Sequence, residues 1–113
     1  MKYYSFFYYG INAMGLYKVG QTKHLRQRRH KLSKVEGLTM VAIYKISEYD
    51  KHSAAASKLV EALARYNLVR SGYENIGNDH FSPNPNNAET INKIIHNTLI
   101  EATEKLNLNI IEA

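Results

Sequence analysis

The stretch that decides the fold reads GLYKVGQTKHLRQRRHKLSK and occupies Gly15–Lys34. It begins with the short apolar segment LYKV, turns at Gly20 and continues as a very basic segment. Thr22 is the expected helix N-cap, because its hydroxyl can accept a hydrogen bond from a first-turn amide that has no partner within the helix. The pattern therefore predicts a strand followed at once by a basic helix, roughly Lys23 to Val35.

The helical wheel places an arginine among the apolar residues of this helix. At about 100° per residue, Leu25, Leu32 and Val35 share one face, and Arg28 projects from the middle of it. A cation on the buried side of a helix is costly unless a partner neutralises it. Two interpretations follow. In the first, the Arg28 side chain reaches solvent or pairs with a carboxylate later in the chain. In the second, its planar guanidinium is held where a phosphate binds.

Composition and charge bound the class of protein. A chain of 113 residues, 44% hydrophobic and 22% charged, suits one globular domain with a modest core. Residues 1–35 hold eight Lys/Arg and no acid, whereas residues 36–113 hold seven Lys/Arg and ten acids, which gives the net charge of +5. A basic amino-terminal third favours a cationic face for a polyanion. A solvated basic helix surface is the alternative.

The sequence indicates neither secretion nor membrane insertion. There are no cysteines, which excludes disulfides and thiolate metal sites. No apolar run is long enough to span a bilayer, and the aromatic start MKYYSFFYYG lacks the apolar core of a signal peptide. We therefore expect an intracellular, cytoplasmic protein that is mature from Met1.

Strands and helices are predicted to alternate around the basic helix. Tyr3–Ile11 is apolar on both faces, which predicts a central strand covered on both sides, and it forms a hairpin with Leu16–Gly20. A third strand, a second helix, a loop and a third helix follow at Thr39–Ser47, Ser53–Tyr66, Ser71–Asn87 and Asn87–Leu106. The last residues, Leu108–Ile111, are expected to form a short strand or a docked tail.

Helical periodicity predicts the buried side of the two later helices. On the second helix the expected core residues are Ala55, Leu59, Val60, Leu63 and Tyr66. On the third they are Ile91, Ile94, Ile95, Thr98 and Leu99. Glu61 lies at the edge of the second-helix stripe, and periodicity alone favours a solvent-facing position for it.

The order of hairpin, helix, strand, helix and loop resembles the GIY-YIG nuclease superfamily, from about Tyr3 to Phe81. The best match is KVGQT at Lys18–Thr22, with Arg28 ten residues after Lys18. It is similar to the second family motif in branches that carry KIG or KVG in place of YIG. The resemblance implies an α+β fold: a small three-stranded antiparallel sheet flanked by helices, with a β-β-α-β-α core. This nuclease-like core would span residues 1–86, and a C-terminal helix and tail at 87–113 would pack on it within a single domain.

Further positions match the family residue by residue. Tyr8, ten residues before Lys18, matches the first tyrosine, and Glu61 matches the metal-binding glutamate. Asn75, in GYEN, looks like the asparagine of the following turn. Leu32 stands where members carry a histidine four residues after the arginine. The candidates to replace that histidine are His24, His30 and His80.

The resemblance implies a divalent-metal-dependent endonuclease that hydrolyses phosphodiester bonds of DNA. Glu61 would hold one Mg²⁺ or Mn²⁺, which stabilises the leaving oxygen, and Arg28 would hold the scissile phosphate. Tyr8 would be the general base or would orient the water, with its pKa lowered by Lys18 and Arg28. Asn75 would belong to the same catalytic set. Other cations of the basic helix would grip backbone phosphates: Lys23, Arg26, Arg29, Lys31 and Lys34.

Two other functions stay open. Leu32 at the histidine position favours a catalytically silent nucleic-acid-binding module on the same fold. The basic helix could instead dock an acidic partner protein. The sequence leaves undecided whether the nucleic acid is DNA or RNA, and whether the isoleucines of the third helix form a homodimer face or ordinary core.

Overall fold

The computed structural model describes residues 3–48, 55–77, 80–82 and 90–113. Within these residues the chain forms an α+β domain with one six-stranded antiparallel sheet and three helices. In chain order the elements are β1 (Tyr3–Ile11), β2 (Tyr17–Thr22), α1 (Leu25–Glu36), β3 (Thr39–Glu48), α2 (Ala55–Arg70), β4 (Glu74–Gly77), β5 (His80–Ser82), α3 (Thr90–Lys105) and β6 (Ile110–Glu112).

The sheet has the order β4-β5-β2-β1-β3-β6, so β1 is central, as predicted. The α+β class is confirmed, but the expected three-stranded sheet is only the middle of a larger one. Short strands extend both edges, and two of them lie in Ser71–Asn87, which the sequence predicts as a loop. Glycine and asparagine dominate that stretch, so its composition hides strands of three or four residues. Residues 78–79 and 83–89 lie outside the described part of the chain.

The basic helix begins later than the sequence predicts. At the N-cap position of α1 lies His24, whose side chain makes no capping hydrogen bond. The hydroxyl of Thr22 instead accepts a hydrogen bond from the amide of His24 at 3.0 Å. The predicted cap at Thr22 is therefore wrong, because β2 continues to Thr22 and its hydroxyl closes the turn between strand and helix.

One face of the sheet carries a small core beneath α1. Leu32 is the only residue of α1 that is buried, and it packs with Tyr8 and Leu38. Val35, expected on the same face, is 73% exposed, so that prediction is wrong. Gly37 ends the helix in a left-handed conformation with φ 63°. Because the chain turns back at Gly37, Leu38 fills the buried position that was expected for Val35.

The opposite face of the sheet carries the main core, covered by α2 and α3. Its buried members come from four strands, the loop before β4 and both helices: Phe7, Tyr9, Val19, Ile46, Val60, Ala64, Leu68, Tyr73, Phe81, Ile91, Ile94, Ile95, Leu99 and Ala102. The five positions predicted to be buried on α3 are confirmed. Thus the C-terminal helix belongs to the main core of the domain.

The second helix is rotated relative to its predicted face. Leu59 and Tyr66, expected in the core, are 52% and 59% exposed. Val60, also predicted, is buried, and Leu63 is partly buried against the main core. The fully buried apolar residues of α2 recur every four positions: Val60, Ala64 and Leu68. This rotation brings Glu61 to the buried side, against the solvent-facing position that periodicity favours. α2 also continues past the predicted end at Tyr66, whereas the predicted start at Ser53 lies outside the described residues.

A β-bulge in β3 explains why this strand is apolar on both faces. The pairing with β1 shifts between Tyr9 and Gly10, which face Ala42 and Met40. The extra residue, Val41, lets Met40 and Ile43 both contribute to the cluster around Tyr8.

Among the described helices, none is long and apolar enough to cross a membrane.

Candidate active site

Tyr8 lies at the centre of the small core beneath α1. Its side chain is 1% exposed, and its register partner on β2 is Gly20. A Cβ placed on Gly20 would overlap the ring and hydroxyl of Tyr8. Glycine at this position of the KVGQT motif therefore makes room for the tyrosine, because any side chain would displace it.

Two residues predicted from separate segments, Arg28 and Glu61, and one that was not predicted, Glu36, act on the Tyr8 hydroxyl. The Arg28 guanidinium donates a hydrogen bond to the Tyr8 hydroxyl, and the charges of Glu61 and Glu36 also reach this group. Burial is the largest influence and raises the pKa of Tyr8, the two carboxylates raise it further, and Arg28 opposes them. The predicted lowering of the Tyr8 pKa is therefore wrong, because burial outweighs the single cation that acts on it.

The two helices that carry these charges approach Tyr8 from opposite faces of the sheet. Successive residues of a strand point to opposite faces, so α1 packs on the side of Tyr8 and α2 on the side of Phe7 and Tyr9. Along the described residues, β5 pairs with β2 only at Tyr17 and Lys18. The segment from Gly20 onwards therefore lies beyond this pairing. At this open edge, charged side chains on both faces of the sheet can act on the Tyr8 hydroxyl.

A polar contact connects α2 to the end of β2 near this edge. The hydroxyl of Ser57 donates a hydrogen bond to Gln21 Oε1 at 3.1 Å. Ser57 is fully buried and lies one turn before Glu61 on α2. This contact helps fix the register of α2 against the strand that carries the motif.

Glu61 supplies the carboxylate that a divalent metal would need. Its side chain is largely buried, and Oε1 accepts a hydrogen bond from Arg65 Nη2 at 2.5 Å, one turn later on α2. In the described part of the chain, no three His, Asp or Glu side chains cluster as metal ligands. One carboxylate completed by water and substrate oxygens is a donor set that suits Mg²⁺. The residues thus fit such an ion, which would compete with Arg65 for Glu61.

Arg28 also lines a polar groove of about 210 Å³ on the amino-terminal half of α1. The other residues of this groove are Thr22, His24, Gln27 and Lys31. Arg28 is exposed, although it reaches the buried hydroxyl of Tyr8. The groove presents cations and hydrogen-bond donors without an acid, which suits a phosphate group.

The other flank of α1 forms a larger groove of about 640 Å³. The cations Arg26 and Arg29 line it together with His30, and Leu25, Leu38 and Met40 also line it. Lys34 is exposed near the end of the helix. Lys23, before the helix, is half-buried. Of the predicted phosphate-binding cations, Arg26 and Arg29 thus line this groove and Lys31 lines the groove of Arg28.

Lys18 and His80 lie together on the same side of the sheet as Tyr8. They are register partners of β2 and β5, and both contact Glu36 at the end of α1. The carboxylate holds Lys18 at 3.0 Å, and His80 Nε2 lies 3.3 Å from its other oxygen. Lys18 is thus engaged by Glu36. Of the three candidate histidines, His24 lines the groove of Arg28, His30 lies on the opposite flank, and His80 joins this cluster.

Asn75 has no described contact with Tyr8, Arg28 or Glu61. It lies on β4 and is exposed, and its Oδ1 accepts a hydrogen bond from the amide of Gly77 at 2.9 Å. This bond stabilises the turn towards β5. The described contacts of Asn75 therefore give it a turn-forming role.

Sequence reasoning missed Glu36 and Arg65. One signal for Glu36 is present, since it is the first acid of the chain and ends a helix that otherwise carries only basic charges. For Arg65 the signal is its spacing of four residues from Glu61. Neither signal identifies a function without the fold.

Comparisons of the chain with models of protein families, with curated proteins and with solved structures found no match. The resemblance to the GIY-YIG superfamily therefore stays a prediction from the sequence motifs.

Proposed function

We propose that this protein is a divalent-metal-dependent endonuclease of the GIY-YIG type, acting on DNA. The observation that carries the proposal is the convergence on the Tyr8 hydroxyl. Tyr8, Arg28 and Glu61 come from β1, α1 and α2: Arg28 donates a hydrogen bond to the Tyr8 hydroxyl, and the charge of Glu61 also acts on this group.

In this proposal Arg28 binds the scissile phosphate and opposes its growing negative charge. Its groove has room for a phosphate, and Lys31 lies on the same rim. When bound at Glu61, Mg²⁺ or Mn²⁺ would supply a Lewis acid for the leaving oxygen. The grooves on both flanks of α1 would hold the neighbouring backbone phosphates without reading base sequence.

Of the two roles that the resemblance implies for Tyr8, general base or group that orients the water, the second fits its pKa. Because its pKa is raised, the phenol stays protonated at neutral pH. It therefore orients the attacking water and the Arg28 guanidinium by hydrogen bonding, and it does not remove the proton. The substrate phosphate or a second water would accept the proton of the attacking water.

The test is nicking of supercoiled plasmid in Mg²⁺, Mn²⁺ or EDTA. We expect metal-dependent nicking by the wild type and losses of roughly 10² to 10³-fold in Arg28→Gln and Glu61→Gln. The matched controls are Arg70→Gln and Glu101→Gln, two changes of the same kind at positions away from Tyr8, which should nick as the wild type does. Nicking that survives Glu61→Gln would contradict the proposal.

A catalytically silent DNA-binding module is the second candidate function. It is favoured by Leu32, which occupies the histidine position of the family motif and packs under Tyr8. Salt-sensitive DNA binding without nicking in any divalent metal would support this candidate. Failure to bind DNA or RNA at low salt would contradict both and favour an acidic protein partner. The intracellular, cytoplasmic location expected from the sequence belongs to the same proposal.

A further inference from the structure

Three residues spaced by four form one row along α1 and face the site. Arg28 donates a hydrogen bond to the Tyr8 hydroxyl, Leu32 packs against Tyr8, and Glu36 contacts Lys18 and His80. Residues four apart on a helix lie on the same side, one turn above each other. The row therefore couples the end of the helix to the position of the Arg28 guanidinium.

Glu36 occupies a position that is unfavourable for an acid. It is the last residue of α1, and the partial negative charge of a helix C-terminus repels a carboxylate. Lys18 Nζ offsets this by donating hydrogen bonds to both carboxylate oxygens, at 3.0 and 3.1 Å, and His80 Nε2 lies 3.3 Å from one of them. The Glu36 carboxylate thus attaches α1 to the sheet through these contacts, and it does not stabilise the helix itself.

The cluster lies largely out of solvent. The side chains of Lys18, His80 and Glu36 are 11%, 15% and 25% exposed. Partly buried charges are costly to separate, so Lys18 and Glu36 keep each other in place, and His80 contacts the same carboxylate. Both neighbours hold the pKa of Glu36 below its ordinary value against the opposing effect of burial, and the carboxylate stays charged at neutral pH.

Without this cluster, α1 would be held weakly. Leu32 is the only residue that the helix buries, whereas the cations along its flanks are exposed. Leu32 and the Arg28 hydrogen bond to Tyr8 attach the middle of the helix and the turn before it. Glu36 adds an attachment one turn after Leu32, which restricts rotation and tilt of the helix at its C-terminal end.

We propose that Glu36 is a positioning residue of this site, which binds Lys18 and His80 and thereby keeps Arg28 against Tyr8. The inference rests on the proposed nuclease function and deepens it. It gives Lys18, the first residue of the KVG motif, and His80 a shared role as the two fixed partners of Glu36. It also explains how the site can keep its geometry with a leucine in the histidine position.

Glu36→Gln separates positioning from simple electrostatics, because the two predict opposite changes. Removing a negative charge near a polyanion should by itself leave DNA binding equal or stronger and nicking equal or faster. Positioning predicts that the single-turnover nicking rate falls roughly ten- to a hundred-fold at saturating protein, since the guanidinium is misplaced. Glu101→Gln, an acid paired with Lys105 on α3, is the matched control and should change neither quantity.

A double-mutant cycle shows whether Glu36 acts through its partner. Lys18→Met and Glu36→Gln are made singly and together, and both the nicking rate and the unfolding temperature are measured. We expect the double variant to nick no more slowly than the slower single variant, because one contact is lost in each. The double variant also leaves no unpaired buried charge from this pair, which protects the test against a single variant that fails to fold.

A measurement independent of catalysis completes the test. The guanidinium NMR signals of Arg28, assigned with Arg28→Gln, should move in Glu36→Gln and stay in Glu101→Gln. Wild-type protein that does not nick would contradict the proposed function, and the Arg28 signals would still decide the positioning role. Unchanged Arg28 signals, or unchanged or faster nicking by Glu36→Gln, would overturn the inference.

Discussion

The two faces of the sheet are built in different ways. On one face, α2 and α3 enclose a continuous core of apolar side chains from the sheet and both helices. On the other face, α1 buries a single leucine over Tyr8, and its remaining length presents cations to solvent. Stability thus belongs mainly to the first face. The second can carry charge at a density that a packed core would not tolerate.

Truncation of one leucine on each face is the strongest test of this contrast. We expect Leu68→Ala in the main core to lower the free energy of unfolding by about 4 kcal/mol, because it opens a cavity in a fully buried site. Leu32→Ala should cost about 2 kcal/mol, since the site beneath α1 is small and can collapse. Urea unfolding followed by circular dichroism measures both. Equal costs would show that the two faces contribute alike.

The next prediction concerns the ion pair between Glu61 and Arg65 on α2, beside the edge where the two faces of the sheet meet. Arg65→Gln removes the guanidinium that bonds to Glu61, so the carboxylate should bind a divalent ion about tenfold more tightly, a gain of about 1.4 kcal/mol. Titration of Mn²⁺ followed by electron paramagnetic resonance measures the affinity. Arg70→Gln, on the same helix, is the control. Weaker Mn²⁺ binding by Arg65→Gln would mean that Arg65 supports the site and does not compete for it.

The charge of the α1 face should appear in the salt dependence of DNA binding. Arg29→Gln removes one cation from the groove on the far flank of α1. The slope of log affinity against log salt should decrease by about one, with a loss of a few-fold in affinity at moderate salt. Lys105→Gln removes an exposed cation from α3 and should leave the slope unchanged. The same decrease in both variants would mean that DNA does not select the α1 face.

The smallest expected effect is the contribution of Tyr8 to stability at alkaline pH. The fold raises the pKa of Tyr8 above its ordinary value of 10.0. Its neutral form is therefore favoured, and this stability is fully present below pH 10.0 and is lost as the pH rises through the higher folded-state pKa. The free energy of unfolding, measured by urea titration, should fall less steeply with pH in Tyr8→Phe than in the wild type between about pH 9 and 11. Tyr66→Phe is the exposed control. Identical slopes for Tyr8→Phe and the wild type would contradict burial as the main cause.

Much of the main core could be predicted because its signal is local. The run of aromatic residues in β1, apolar on both faces, and the spacing of isoleucines in α3 both identify buried segments directly. The short edge strands could not be predicted, since three residues such as His80–Ser82 carry no periodicity. The rotation of α2 also escaped prediction, because Leu59 and Val60 are both apolar and only the packing decides which is buried.

The candidate site was accessible only in part, for a different reason. The choice of Tyr8, Arg28 and Glu61 follows from the resemblance of these positions to the motifs of the GIY-YIG family. The direction of the Tyr8 pKa does not, because it depends on how deeply the ring is buried over Gly20. Glu36 was missed because its partners are 18 and 44 residues away along the chain and meet it only across the pairing of β2 with β5.

The most direct test of the account asks whether Arg28 and Glu61 act as one unit although they approach from opposite faces. Single-turnover plasmid nicking in Mn²⁺ is measured for Arg28→Gln, Glu61→Gln and the double variant. If both residues serve one phosphate beside Tyr8, the double variant nicks no more slowly than the slower single variant, since the first loss already disables the site. If the two losses multiply, the residues act independently, and a single site around Tyr8 is contradicted.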